Sequence, residues 1–125
     1  MENNQSISNT QKMCVAYGLL YEVETTLVEI IEKTLRKKYG LEWPIVLKVR
    51  RPLETSRYYE IVGCYVKYEP LKSVFTKEEQ QLLFSLDVTR NKIAHMKVIT
   101  DSEMSKLEEA HLVIGSRKIN TTIAY

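Results

Sequence analysis

Apolar residues recur at Met13, Ala16, Leu20, Val23, Leu27, Ile31 and Leu35, the three-and-four spacing that lines one face of an α-helix. The pattern predicts a long first helix ending near Tyr39, where Arg36, Lys37 and Lys38 meet the negative end of the helix dipole and Gly40 supplies a left-handed cap. Residues 1–10 are polar and read as a flexible tail. A second periodic stretch opens at Thr76, three residues before Glu79, the reciprocal spacing of a capping box. It carries Leu82, Leu83, Leu86, Ile93 and Ala94 on one arc and should continue to about His95. Thr100 and Glu103 repeat the capping spacing and open a last helix with Met104, Leu107, His111 and Ile114 on one stripe. Gly115 is expected to end that helix, leaving 116–125 as a C-terminal tail.

Residues 41–74 are broken by Pro44, Pro52, Gly63 and Pro70. The run IVLKV is able to pair as a strand and YYEIVGCYV suits either state, so the expectation is short helices or irregular packing, with a short strand as the alternative. Tyr58, Tyr59, Tyr65 and Tyr68 are expected to pack within this segment, with stacking on bases as their other use. The whole reads as an all-α, up-and-down helical bundle with an irregular middle, one domain over 125 residues, the length of a single core.

Composition narrows the function only a little. Apolar residues at 44% and charged residues at 27% match an ordinary folded domain. No apolar run approaches the roughly 18 residues of a membrane span, and the opening MENNQSISNTQK lacks a signal-peptide pattern. A cytoplasmic protein without a membrane partner is expected, with Cys14 and Cys64 as reduced thiols. A net charge of +2 neither demands nor forbids a nucleic-acid partner. Basic clusters at 36–38, at Lys48, Arg50 and Arg51, at Arg90, Lys92 and Lys97, and at Arg117 and Lys118 each fit solvated helix faces and ends as well as a binding surface. Two histidines without an HExxH pattern offer too few ligands for a metal, and four scattered glycines form no phosphate loop, so neither metal nor cofactor is expected.

Two charges fall where the core should be. Glu24 projects into the apolar arc of the first helix and Arg90 into that of the helix opened by Thr76. An unpartnered buried charge costs several kcal/mol, so the two are expected to pair; the alternative is that each reaches solvent separately. Asn91 and His95 are four apart and share a face, so the amide is placed to orient the imidazole or to touch the same ligand. Arg90 and His95 are five apart, about 140° around the helix. Joint action needs Arg90 to reach around, the helix to end near His95, or a second subunit.

The segment Thr89 to His95, TRNKIAH, resembles the signature of HEPN domains, in which Arg, usually a polar residue, and a few more residues precede His. The inward Glu24 and the helix capped at Thr100 after the motif agree with that family. The first helix ending in KKYG before Trp43 looks like the subgroup found in abortive-infection proteins and an mRNA-surveillance endoribonuclease. The resemblance covers residues 13–114 and is weakest over 41–74. It implies a metal-independent endoribonuclease, a toxin or antiphage effector, with its site at a homodimer interface and an antitoxin or sensor protein as partner. Arg90 and His95 would then be catalytic. Asn91 would position substrate or His95, Glu24 would hold Arg90, and Lys92 and Lys97 would contact RNA. The residue types suit this chemistry, since imidazole exchanges protons near neutral pH and a guanidinium grips phosphate oxygens. The alternatives are a noncatalytic HEPN module that binds RNA, a nucleotide or a protein, and a plain helical dimerisation or adaptor domain.

Overall fold

Ser8 accepts a hydrogen bond from the Gln11 amide, and the Gln11 side chain accepts one from the Ser8 amide. This capping box satisfies two orphan donors and starts helix α1, Asn9–Tyr39, in the computed structural model, which describes residues 8–123 and side chains as far as Lys118. Asn9 and Thr10 are therefore helical, not part of a tail; residues 1–7 lie outside the described residues. The expected stripe is the buried one from its second position on: Ala16, Leu20, Val23, Leu27, Ile31 and Leu35 are all in the core, Ile30 joins them, and Met13 is half-buried against it. Gly40 ends the helix at φ 86°, ψ −176°, with its amide bonded to Arg36 O at 2.7 Å. That conformation lies outside the left-handed helical region expected, in a zone that only glycine occupies comfortably. The chain leaves the helix extended.

The middle segment contains no strand among the described residues. It forms α2 (Trp43–Val46), a 3-10 turn at Leu53–Thr55, α3 (Tyr58–Lys67) and a second 3-10 turn at Glu69–Leu71. The IVLKV run fails as a strand because Pro44 sits in the first turn of α2, where no amide is needed, and Lys48 at φ 57° reverses the chain. Tyr58 and Tyr65 are fully buried, yet each hydroxyl donates to a backbone carbonyl at 2.6 Å, Leu83 O and Leu27 O respectively. Burial pushes both phenols well above their ordinary pKa, most strongly by desolvation, so they remain neutral donors. The four tyrosines thus divide: Tyr58 and Tyr65 are core, while Tyr59 and Tyr68 border a groove.

Helix α4 spans Lys77–Ala94 and α5 spans Asp101–Ile123, each opened by its predicted threonine box. Leu83, Leu86 and Thr89 form the buried face of α4; Leu82 and Ile93 are half-buried, and Ala94 is exposed because the last turn borders an open cleft. Helix α5 does not stop at Gly115. Ile114 is buried, and Arg117 donates to Val74 O at 2.8 Å and Glu79 at 2.6 Å while lying over the Phe75 ring. These contacts outweigh the helix penalty of one glycine, and residues 116–123 are helical, not a tail; 124 and 125 lie outside the described residues. His111, placed by its spacing on the apolar stripe of the last helix, is a half-buried edge residue whose Nε2 meets Glu22 on α1.

Helix α1 is the spine of an all-α bundle. It packs most extensively on α5 and also touches α2, α3, α4 and the Glu69–Leu71 turn, while α4 lies against both α3 and α5. No helix among the described residues is long and apolar enough to cross a membrane.

Nothing lies within 4 Å of where a Cβ would stand on Gly115. Gly115→Ala should therefore stabilise the protein by about 0.5–1 kcal/mol, because glycine has extra chain entropy to lose. The check is a higher urea midpoint at unchanged m-value; a lower midpoint would contradict a helix running through this position.

Candidate functional site at the junction of α1 and α4

Arg90 Nε donates to Glu24 Oε2 at 3.1 Å, joining α4 to α1 as the sequence predicts. Both side chains are half-buried, 35% and 24% exposed, so the pair closes the edge of the core without being sealed in it. No bond to the terminal amino groups of Arg90 forms among the described residues. The guanidinium stands on a partition between two clefts. On one side Tyr17, Leu20, Tyr21, Ile93 and Met96 enclose about 540 Å³. On the other, Arg57, Tyr59, Asp87 and Asn91 bound about 390 Å³.

His95 is the C-cap of α4, with its amide reaching Asn91 O and Lys92 O. The two amides that follow fold back in the Schellman pattern: Met96 N–H to Ile93 O at 3.1 Å and Lys97 N–H to Lys92 O at 2.8 Å. Met96 takes the left-handed position at φ 61°. A side chain there costs about 1–2 kcal/mol, and at 92% exposure the Met96 side chain recovers none of it by packing within the chain.

The site residues expected from the sequence are thus only partly brought together. Glu24, Arg90 and Asn91 meet around the partition. His95 is exposed and lines neither cleft, and no side-chain bond joins it to Asn91 among the described residues. Lys92 is committed elsewhere: its ammonium binds Glu103 at 3.0 Å, tying the end of α4 to the start of α5. Lys97 is exposed.

Glu103 also accepts the Thr100 amide at 2.8 Å. That backbone bond, with help from Lys92, holds its carboxyl below the ordinary value of 4.5. The segment from His95 to Thr100 is therefore braced at both ends, by the Schellman bonds and by the Lys92–Glu103 pair.

Sequence reasoning missed Tyr17, Tyr21 and Arg57. Tyr17 and Tyr21 stack with ring centroids 6.4 Å apart and are 60% and 58% exposed, forming with Met96 an apolar surface beside Arg90. Their signal was present: two aromatics four apart, off the core stripe and on the face that continues to Glu24. Arg57 had none, because its placement depends on the irregular middle. Both cysteines are free; Cys14 is exposed, and burial pushes the Cys64 thiol up. No group of three His, Cys, Asp or Glu side chains able to hold a metal forms among the described residues.

Compared with known proteins, the chain matches no family model, and no curated protein and no solved structure is significantly similar to it.

The lowered Glu103 pKa gives a signed pH dependence. Its stabilisation is complete above the unfolded value and is lost as pH falls through the lower folded value, because there the unfolded chain binds the proton first. Glu103→Gln keeps a cap acceptor but drops the charge. It should cost about 0.5 kcal/mol at neutral pH, as befits a solvent-screened pair, and lose less stability than wild type on acidification below pH 4.5. Parallel acid-side urea titrations of the two proteins would check this; equal pH profiles would contradict it.

Proposed function

We propose that the protein is a metal-independent endoribonuclease of HEPN type, working as a cytoplasmic toxin or antiphage effector under the control of an antitoxin or sensor protein. The observation that carries this reading is the Arg90 guanidinium, fixed by Glu24 at the meeting point of two clefts and beside an exposed apolar surface. An arginine so held keeps donors for phosphate oxygens at no further ordering cost.

Within one chain His95 and Arg90 share no cleft, so chemistry that needs both needs a second copy. Tyr17, Tyr21 and Met96 give that copy an apolar surface to cover next to Arg90. In the dimer, one imidazole takes the proton of a ribose 2′-hydroxyl as its oxygen bonds to the adjacent phosphorus. The P–O5′ bond breaks, and the other subunit's imidazole gives a proton to the departing oxygen. The products are a 2′,3′-cyclic phosphate and a 5′-hydroxyl, with Arg90 stabilising the charge on the crowded phosphorus. Asn91, in the second Arg90 cleft, orients the bound nucleotide. Lys97 adds a cation beside the strand, while Lys92 contributes through the brace it forms with Glu103.

A second reading, a noncatalytic HEPN module that binds RNA, a nucleotide or a protein, is favoured by one observation: the exposed imidazole lies outside both clefts.

Incubation with total RNA in excess EDTA separates the two. Wild type should leave cyclic-phosphate ends, and His95→Ala and Arg90→Lys should each lower the rate by about 100-fold or more while staying folded. Cleavage unaffected by His95→Ala would rule out this mechanism, and absence of cleavage by wild type would favour the second reading. In the same assay, Tyr17→Glu with Tyr21→Glu should produce a monomer by light scattering and abolish cleavage. Full activity from a monomer would show that one chain suffices.

A further inference from the structure

A third cavity, of about 430 Å³, opens along α3 and is bordered by Lys48, Arg50, Arg51 and Lys67. Glu60, Gly63, Cys64 and Lys67 of α3 fall on its wall at helical spacing. Gly63 has nothing within 4 Å of its Cβ position, so this stretch of wall presents bare backbone. The acid on this wall, Glu60, is already engaged, receiving Arg51 at 3.3 Å and the Arg57 amide at 2.7 Å. Lys48, Arg50 and Lys67 have no acidic partner among the described residues.

This groove does not stand alone. Tyr59, 48% exposed, borders both it and the second Arg90 cleft. Arg90 in turn borders that cleft and the one beside Tyr17. Cations and an open aromatic ring therefore follow one another from Arg90 through Arg57 and Tyr59 to Arg50 and Lys67. The α3 portion from Arg57 to Lys67 measures about 15 Å at 1.5 Å per residue, enough for several nucleotides.

We propose that this series of clefts is a track for single-stranded RNA, leading away from Arg90 along α3, with phosphates met by Arg57, Arg50, Lys48 and Lys67 and a base stacked on Tyr59. The inference rests on the RNA reading above and adds to it where the strand runs. Single-stranded RNA is the occupant that uses both features: a row of cations without acidic partners, Lys67 lying only over the Tyr68 ring, tracks a phosphate backbone, and an exposed ring between them accepts a base of any sequence. An acidic peptide would use the cations but not the ring.

The test is fluorescence anisotropy of the full chain with a short labelled single-stranded RNA, on a His95→Ala background so that the probe survives. Arg50→Glu with Lys67→Gln should weaken binding by about tenfold or more and flatten the dependence of log K on log salt by about 0.7 per lost contact. Tyr59→Ala should weaken it about fivefold or more with the salt slope unchanged. Arg50→Lys should bind nearly as wild type. All of these positions are exposed, and circular dichroism verifies that each variant is folded. Wild-type affinity in the charge variants overturns the track, as does a glutamate-rich peptide binding as tightly as RNA with no dependence on Tyr59. Track-dependent binding without RNA cleavage would sink the nuclease reading alone. Cleavage that needs Arg90 and His95 but ignores these variants would sink the track alone.

Discussion

A carboxylate and a guanidinium on the facing stripes of α1 and α4 must neutralise each other, and the arrangement around them follows from that requirement. Removing either partner would leave the other's charge half-buried beside Leu20 and Ile93, balanced only by the water that reaches it. Because both groups are only half-buried, the pair itself is worth little in stability, on the scale of other solvent-screened ion pairs. Its effect is geometric. It sets α4 against α1 where their stripes run out of apolar residues, and it turns what would have been continuous core into a wall with a cleft on each side. Tyr65 reinforces the same arrangement from α3 by donating to Leu27 O in α1, while Tyr58 donates to Leu83 O in α4. Helices α1, α3 and α4 are thereby linked by three directed contacts around Arg90.

The C-terminal end of α4, one turn beyond Arg90, is held with equal care, and with strain. A glycine at position 96 would adopt the left-handed conformation easily; a methionine stands there instead, almost fully exposed. Its strain is retained because the Schellman bonds, the Lys92–Glu103 pair and the Thr100 box fix the segment on both sides. A strained, exposed apolar residue beside an exposed imidazole gains nothing for an isolated chain. In the proposed dimer, a second copy covering Tyr17, Tyr21 and Met96 would offset the strain through apolar burial, worth about 25 cal/mol per Å².

The long helices and the Glu24–Arg90 pair were legible in the sequence because periodicity and charge placement act locally or across a single pair of stripes. The α1 stripe and both threonine boxes are where pattern alone puts them. The ends of elements were less legible. Ser8 with Gln11 forms a capping box in a stretch that looks merely polar, and Gly115 looks like a stop until Arg117 is seen bonded to Val74 O and Glu79, contacts 43 and 38 residues away in sequence. The middle segment was the least legible, since its structure depends on the fit of Trp43, Leu53, Tyr58 and Leu71 against α1 and its neighbours, which no window of sequence contains. The same limit explains the site. Arg90 and Asn91 are neighbours in sequence and in space, whereas Arg57 and Tyr59 join them only through the docking of α3 on α4.

On the proposed nuclease reading, the separation of Arg90 from His95 constrains the mechanism. Five residues along a helix point two side chains about 140° apart, and ending the helix at His95 leaves the imidazole facing solvent, outside either Arg90 cleft. Phosphoryl transfer from a 2′-hydroxyl needs a proton acceptor and a cation on one phosphate within hydrogen-bond reach. One chain places an anchored cation beside two clefts and an exposed imidazole outside both. In the proposed dimer, a twofold axis through the Tyr17 surface would present the same residues of both copies to each other, as an isologous interface does, and the nuclease reading requires that one copy's His95 thereby reach the other's Arg90. On that reading the site would be silent until assembly, and a partner covering the Tyr17 and Met96 surface would hold it inactive without touching Arg90 or His95.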